Sequence, residues 1–208
     1  SVPVGDNYLG MRVDALAMPT DGRGPIGASK RYPIFGKAPS VLERRQLTEV
    51  LPMGVKILDM MIPIGKGQRQ LIIGDRMTGK TSIATDAILM QKHTGTICVY
   101  CCIGKAEAAL AKVTELFDAE DVWKYGVVVA ATASDSMGKQ YLAPYVATSI
   151  GEYFMYEKGR DVLVVFDDLT KHAWTYRQMS LLLERSPGRD AYPGDIFYLH
   201  SQLVERAC

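Results

Sequence analysis

With 208 residues, 48% apolar and 23% charged, the chain has the balance of a globular domain able to bury a substantial core. A net charge of +1 argues against a bulk electrostatic surface for nucleic acid or an anionic membrane. No apolar stretch is long enough to span a bilayer, and residues 1–10 lack the charged-then-apolar shape of a signal peptide, so the expectation is a soluble protein in a reducing compartment.

Residues 1–45 have low regularity, broken by glycines and prolines such as Gly5, Gly10, Pro19, Gly22, Gly24, Pro33 and Gly36. They read as an extended, solvated arm that packs on the rest of the domain or on a neighbour. One strand is expected within residues 9–16, then a turn over 18–22. Basic residues cluster at Lys30-Arg31 and Arg44-Arg45.

From residue 50 the pattern alternates between strand and helix. A short helix over 54–61 is ended by Pro63. A strand at 71–73 precedes a glycine loop and a helix running to about residue 92. Strands follow at 97–103, 127–131, 162–166 and 196–199. Helices are expected at 107–117, 139–157 and 170–184, with Leu110, Val113 and Phe117 at helical spacing in the first. Pro144 is placed in the first turns of the second, where a missing donor costs least. Apolar strands alternating with helices predict an α/β fold: a mostly parallel sheet with helices on both faces and its ligand beyond the strands' carboxyl ends.

Cys98, Cys101 and Cys102 lie in a β-branched, apolar run. The spacing admits a redox or metal site, but cysteine in such a strand behaves as a small hydrophobe. Cys98 and Cys102 would share one face and Cys101 the other. Cys208 is terminal and uninformative. His93, His172 and His200 are too scattered in sequence to suggest catalysis. Trp123 and Trp174 read as core or interface residues.

The loop is Gly74-Asp75-Arg76-Met77-Thr78-Gly79-Lys80-Thr81, which fits Gly-x-x-x-x-Gly-Lys-Thr, the phosphate-binding loop of nucleoside triphosphatases. Gly74 and Gly79 let backbone N–H groups curl toward an anion. The following helix, which opens with Ser82, directs its positive end at the same spot. Lys80 supplies a point charge for the β- and γ-phosphates, and Thr81 a hydroxyl for magnesium. A strand running into Asp167-Asp168 supplies a carboxylate at the sheet's carboxyl end. Asp167 is the candidate for the magnesium side, and Asp168 for capping the next helix. A carboxylate to activate water is missing: the strand after the loop helix ends Ile103-Gly104-Lys105, and Glu107 reads as a first-turn helix residue. The site is therefore expected to bind Mg-ATP and to hydrolyse it slowly or not at all.

The chain resembles the alpha subunit of the rotary, proton-translocating ATP synthase in its RecA-type, phosphate-loop nucleotide-binding domain. The resemblance rests on Pro63-Ile64-Gly65-Lys66-Gly67-Gln68-Arg69 leading into the loop, Ala130-Ala131-Thr132-Ala133-Ser134-Asp135, Gln140-Tyr141-Leu142-Ala143-Pro144-Tyr145, Tyr176-Arg177-Gln178-Met179-Ser180, and Ala191-Tyr192-Pro193-Gly194-Asp195. It implies residues 1–45 as a lead-in from an N-terminal barrel and 46–208 as the nucleotide domain. It implies a subunit that binds ATP or ADP with Mg2+ without turning it over, in a ring alternating with beta-type catalytic subunits around a central stalk. It implies no nucleic-acid partner and a place peripheral to an energy-transducing membrane, on its cytoplasmic, matrix or stromal side. Carried over by position, residues 74–82 and Lys105 bind nucleotide, Thr81 and Asp167 serve the metal, and Lys105 stands where alpha subunits commonly have Gln. Met77 and Gly138-Lys139 are further departures. The family's arginine finger, much of its adenine pocket and its helical domain would lie outside these residues, so the chain reads as a fragment of the full subunit, with a divergent paralogue as the other option. The competing readings are an independent RecA-type ATPase motor and a structural ring member without nucleotide.

Overall fold

The computed structural model describes every residue except Arg23, Ser29, Arg45 and Cys208. Arg45 of the second basic pair, Arg23 of the lead-in and the terminal cysteine thus lie outside the described residues. In chain order the elements are β1 (Val2–Val4), β2 (Arg12–Asp14), β3 (Lys30–Tyr32), β4 (Val50–Leu51), α1 (Lys56–Met61), β5 (Ile64–Gly65), α2 (Lys80–Met90), β6 (Ile97–Ile103), α3 (Glu107–Ala119), β7 (Gly126–Ala131), α4 (Met137–Lys158), β8 (Val162–Asp167), α5 (Leu169–Leu182) and α6 (Ile196–Val204). The central sheet runs β2-β7-β6-β8, every pair parallel. Two small antiparallel pairs, β1 with β3 and β4 with β5, accompany it.

Period-two alternation along β6 decides how the layers assemble. Val99, Cys101 and Ile103 face α4 together with Val127, Val129 and Ala131 of β7. Cys98, Tyr100 and Cys102 face the opposite layer, where Ile88 of α2 and Leu110, Val113 and Phe117 of α3 pack. Helices therefore cover both faces, as expected. The three cysteines are buried strand residues, divided between the faces as their spacing requires. Burial pushes the Cys98 and Cys101 thiols up and the Cys102 thiol up to about 11, which keeps them protonated.

Several expectations need correction. Residues 71–73 form no strand. They are irregular, with Leu71 and Ile73 exposed, because a three-residue apolar run gains little from an extended conformation unless a ladder receives it, and the described sheet ends at β8. Residues 196–199 belong to helix α6. A short apolar run is ambiguous in period; continuation to Val204 without a breaker, burying Ile196 and Leu203 seven apart, favours the helix. Helix α4 begins at Met137, which puts Pro144 beyond its first turns and inside the helix. Only Arg12–Asp14 of residues 9–16 is strand, and the following turn comes earlier than 18–22, with Pro19 folding back to bridge Val13.

The first residues are not wholly solvated: Val2, Val4, Tyr8 and Val13 enter the core beside α4. The described residues of the two basic clusters are engaged within the chain. Lys30 pairs with Glu157 at 2.5 Å, Arg31 donates to the Ser1 carbonyl at 2.9 Å, and Arg44 pairs with Glu205 at 2.5 Å. A buried guanidinium ties three distant segments. Arg206 donates to Glu152 (2.7 and 2.6 Å), to Ser149 Oγ (3.0 Å) and to the Ile34 carbonyl (2.7 Å).

His172 and His200, scattered in sequence, meet in space. His172 Nε2 lies 3.1 Å from the Tyr141 carbonyl, so it carries the proton, and Nδ1 accepts from His200 Nε2 at 3.0 Å. Tyr141 stacks on the ring, Tyr145 meets it edge-on, and no carboxylate is among these neighbours. Protonating His172 would turn an N–H toward another N–H. Burial, with His200 beside it, lowers its pKa from 6.5 to about 4; burial lowers His200 too. A lowered folded-state value means that the unfolded chain binds the proton first. The stability held above pH 6.5 is lost as pH falls toward 4, by about 3 kcal/mol for His172. Urea unfolding between pH 7 and 4 should show this slope, and His172→Gln should flatten it.

Candidate phosphate-binding site

The loop before α2 closes on itself through short polar contacts. Thr78 Oγ1 donates to the Asp75 carbonyl at 2.8 Å. Gly79 caps the helix at φ +89°, a left-handed conformation that side chains resist. Lys80, Thr81 and Ser82 then form the first turn, whose N–H groups have no partner within the helix. Residues 77–82 line an open pocket of about 310 Å³. Lys80 Nζ donates to the Gly74 carbonyl at 2.6 Å and to the Asp75 carbonyl, which keeps the ammonium inside the loop. The side chains of Asp75, Arg76, Met77 and Thr78 are exposed at the rim.

Asp167 ends β8 and is the convergence point of the site. Its Oδ2 accepts from Thr81 Oγ1 at 2.9 Å, from Tyr100 OH at 2.7 Å and from Lys105 Nζ. Lys105 Nζ also donates to Thr81 Oγ1 at 2.9 Å. The side chains of Lys105 and Asp167 are only 19% and 10% exposed, so little water screens the pair.

Backbone geometry delivers Lys105 to this position. Gly104 takes φ +63°, and a Cβ there would stand 3.0 Å from Lys171 Cβ and 3.1 Å from Gln140 Oε1. The chain thus turns sharply off β6, and Ala133 N holds the Lys105 carbonyl at 2.8 Å. Asp168 caps α5 by accepting from Lys171 N at 2.7 Å, the alternative role read for it. Glu107 lies in the first turn of α3 and pairs with Arg12 at 3.5 Å.

Sequence reasoning missed Tyr100. In the β6–β8 register Cys102 stands opposite Asp167 and Tyr100 opposite Val165. A buried tyrosine needs a partner for its hydroxyl, and a carboxylate two positions along the neighbouring strand is within reach. Burial, reinforced by Asp167, pushes the phenol up, so it remains a neutral donor.

The oxygens expected to share a magnesium ion are Thr81 Oγ1 and Asp167 Oδ2. They are hydrogen-bonded to each other, and the Lys105 ammonium contacts both. A cation shared by these oxygens would need the ammonium's position. As arranged, the residues do not fit the metal.

A parallel α/β sheet with a glycine loop and helix N-terminus at its carboxyl end defines a phosphate-loop nucleotide-binding domain. The family model for the ATP synthase alpha/beta family, nucleotide-binding domain, matches residues 54–208. The chain belongs to that family, and on its alpha-subunit side. An ATP synthase subunit alpha from Clostridium acetobutylicum is 56% identical over 206 residues, covering 99% of this chain and 41% of that protein. One from Dichelobacter nodosus is 53% identical, covering 99% and 40%. An ATP synthase subunit alpha 2 from Legionella pneumophila strain Corby is 55% identical with the same coverage, 99% and 40%. The chain therefore spans about two fifths of the length of these relatives.

Removing the convergence point should be costly. Asp167→Ala would leave a largely buried ammonium and a buried phenol without their acceptor, lowering stability by about 2–4 kcal/mol in urea unfolding. Asp167→Asn, which keeps an acceptor, should lose less.

Proposed function

We propose that this chain is the nucleotide-holding domain of an alpha-type ATP synthase subunit, binding ATP or ADP at residues 74–82 and leaving it uncleaved. The observation that carries the reading is left-handed Gly79 opening α2 beside Lys80, Thr81 and Ser82, which gathers free donors and a charge around one pocket. Restraint from hydrolysis follows from what surrounds that pocket. Asp167 is held by three donors, Glu107 is engaged by Arg12, and an ammonium stands at position 105. The Lys105 ammonium holds the Thr81 and Asp167 oxygens at which magnesium was expected.

The larger setting is part of the same proposal: a lead-in over residues 1–45, a nucleotide domain over 46–208, and a ring alternating with beta-type subunits around a stalk, peripheral to an energy-transducing membrane. No helix among the described residues is long and apolar enough to cross a membrane. Exposed Ile57, Met60, Met61, Leu71, Ile73, Leu182 and Phe197 provide apolar surface of the kind that ring neighbours cover. Sedimentation velocity at rising concentration should accordingly show association, and a strict monomer at the highest concentrations would count against such a surface.

Equilibrium binding of a labelled adenine nucleotide tests the central claim. The unmodified chain should bind and Lys80→Ala should lose at least about tenfold in affinity, roughly 1.4 kcal/mol. Equal binding by both would refute the assignment of the loop. Brisk steady-state turnover abolished by Glu107→Gln would point to an independent ATPase motor instead.

A further inference from the structure

We infer that Lys105 is a built-in substitute for the divalent cation of the site, so that this chain takes nucleotide without a metal ion. The inference rests on the nucleotide-holding reading above and deepens it.

Geometry comes first. Lys105 Nζ lies 2.9 Å from Thr81 Oγ1 and within hydrogen-bonding distance of Asp167 Oδ2, the oxygens that a shared cation would coordinate. The hydroxyl accepts from the ammonium and donates to the carboxylate at 2.9 Å, so the donor and acceptor roles of the three groups are mutually consistent. Tyr100 adds a third donor to the same carboxylate oxygen, at 2.7 Å. An oxygen so occupied has little left to offer a metal or its water shell.

Charge points the same way. The ammonium has three N–H donors, and Thr81 and Asp167 take two. The third remains for a phosphate oxygen in the pocket lined by residues 77–82, Thr81 among them. Lys80, which lines the pocket, is held by the Gly74 and Asp75 carbonyls, and Lys105 touches Thr81 of the same lining. A divalent ion brought to the same oxygens would meet the Lys105 ammonium at contact distance, where like charges in a poorly screened site repel strongly.

The position is also fixed. A side chain at Gly104 would be strained at its positive φ and tight against Lys171 and Gln140, and Ala133 N pins the Lys105 carbonyl. The backbone that carries the ammonium is thus placed by the fold.

The test uses the 208-residue chain, its Lys105→Gln and Lys105→Met variants, and Lys80→Ala. Fluorescent ATP is titrated in EDTA and again in millimolar magnesium, and Mn2+ is followed by EPR with and without ATP. Circular dichroism confirms that each variant is folded. The unmodified chain should bind ATP in EDTA within about threefold of its affinity in magnesium, and should immobilise no Mn2+ in the ternary mixture. Lys105→Gln should bind weakly in EDTA, regain about tenfold or more with magnesium, and take up one Mn2+ per bound ATP. Lys105→Met should lose affinity in EDTA as well, because it keeps the bulk without the charge. A requirement for magnesium in the unmodified chain, or stoichiometric Mn2+ uptake by it, overturns the proposal and leaves the loop assignment standing. Equal binding by the unmodified chain and Lys80→Ala, or no binding by any variant, overturns the loop assignment and this inference with it.

Discussion

One carboxylate oxygen organises the functional end of the molecule. Asp167 Oδ2 receives a hydroxyl from α2, a phenol from β6 and an ammonium from the turn after β6. Each donor comes from a different element, so the sheet's register, the entry angle of α2 and the turn at Gly104 must all be correct at once. The parallel β6–β8 pairing sets Cys102 opposite Asp167 and brings Tyr100 within reach. A charged acceptor largely shielded from water is costly unless satisfied, and here its partners are also the parts of the site.

The sheet's interior was legible from sequence because its strands are long, apolar and bounded by turns. Residues 97–103 were read to the residue, and the division of the cysteines between the two layers followed from pleat alone. Helix α3 was equally plain, since Leu110, Val113 and Phe117 repeat at helical spacing. The loop was legible as a pattern, and the structure gives that pattern its left-handed Gly79 and its free helix terminus. What escaped the sequence was whatever depends on partners. Residues 71–73 are apolar enough for a strand yet find no ladder, and residues 196–199 are too short to declare a period. Tyr100 and the His172–His200 pair were invisible because their meaning lies in what stands opposite them across 67 and 28 residues of chain.

Long-range polar contacts also explain why the irregular lead-in stays with the sheet. Lys139, in the first turn of α4, reaches Asp14 of β2 at 2.9 Å and Asp135 at 3.6 Å. Tyr32 donates to Glu157 at 2.9 Å, at the far end of the same helix. Helix α4, buried continuously over residues 143–154, thereby serves as a spine for both the sheet and the lead-in. The departure read at Gly138-Lys139 acquires a structural role here, since the lysine charge bridges β2 and the turn before α4.

The Arg206 clasp has a bearing on how the chain matures at the ribosome. Among the described residues the last strand of the central sheet ends at Asp167, whereas the guanidinium that neutralises Glu152 arrives with residue 206. At ordinary synthesis speeds all four described strands of this sheet are made roughly two to eight seconds before that partner exists. Until then the Glu152 carboxylate on α4 lacks its partner, and final seating of that helix must wait for residue 206 to emerge.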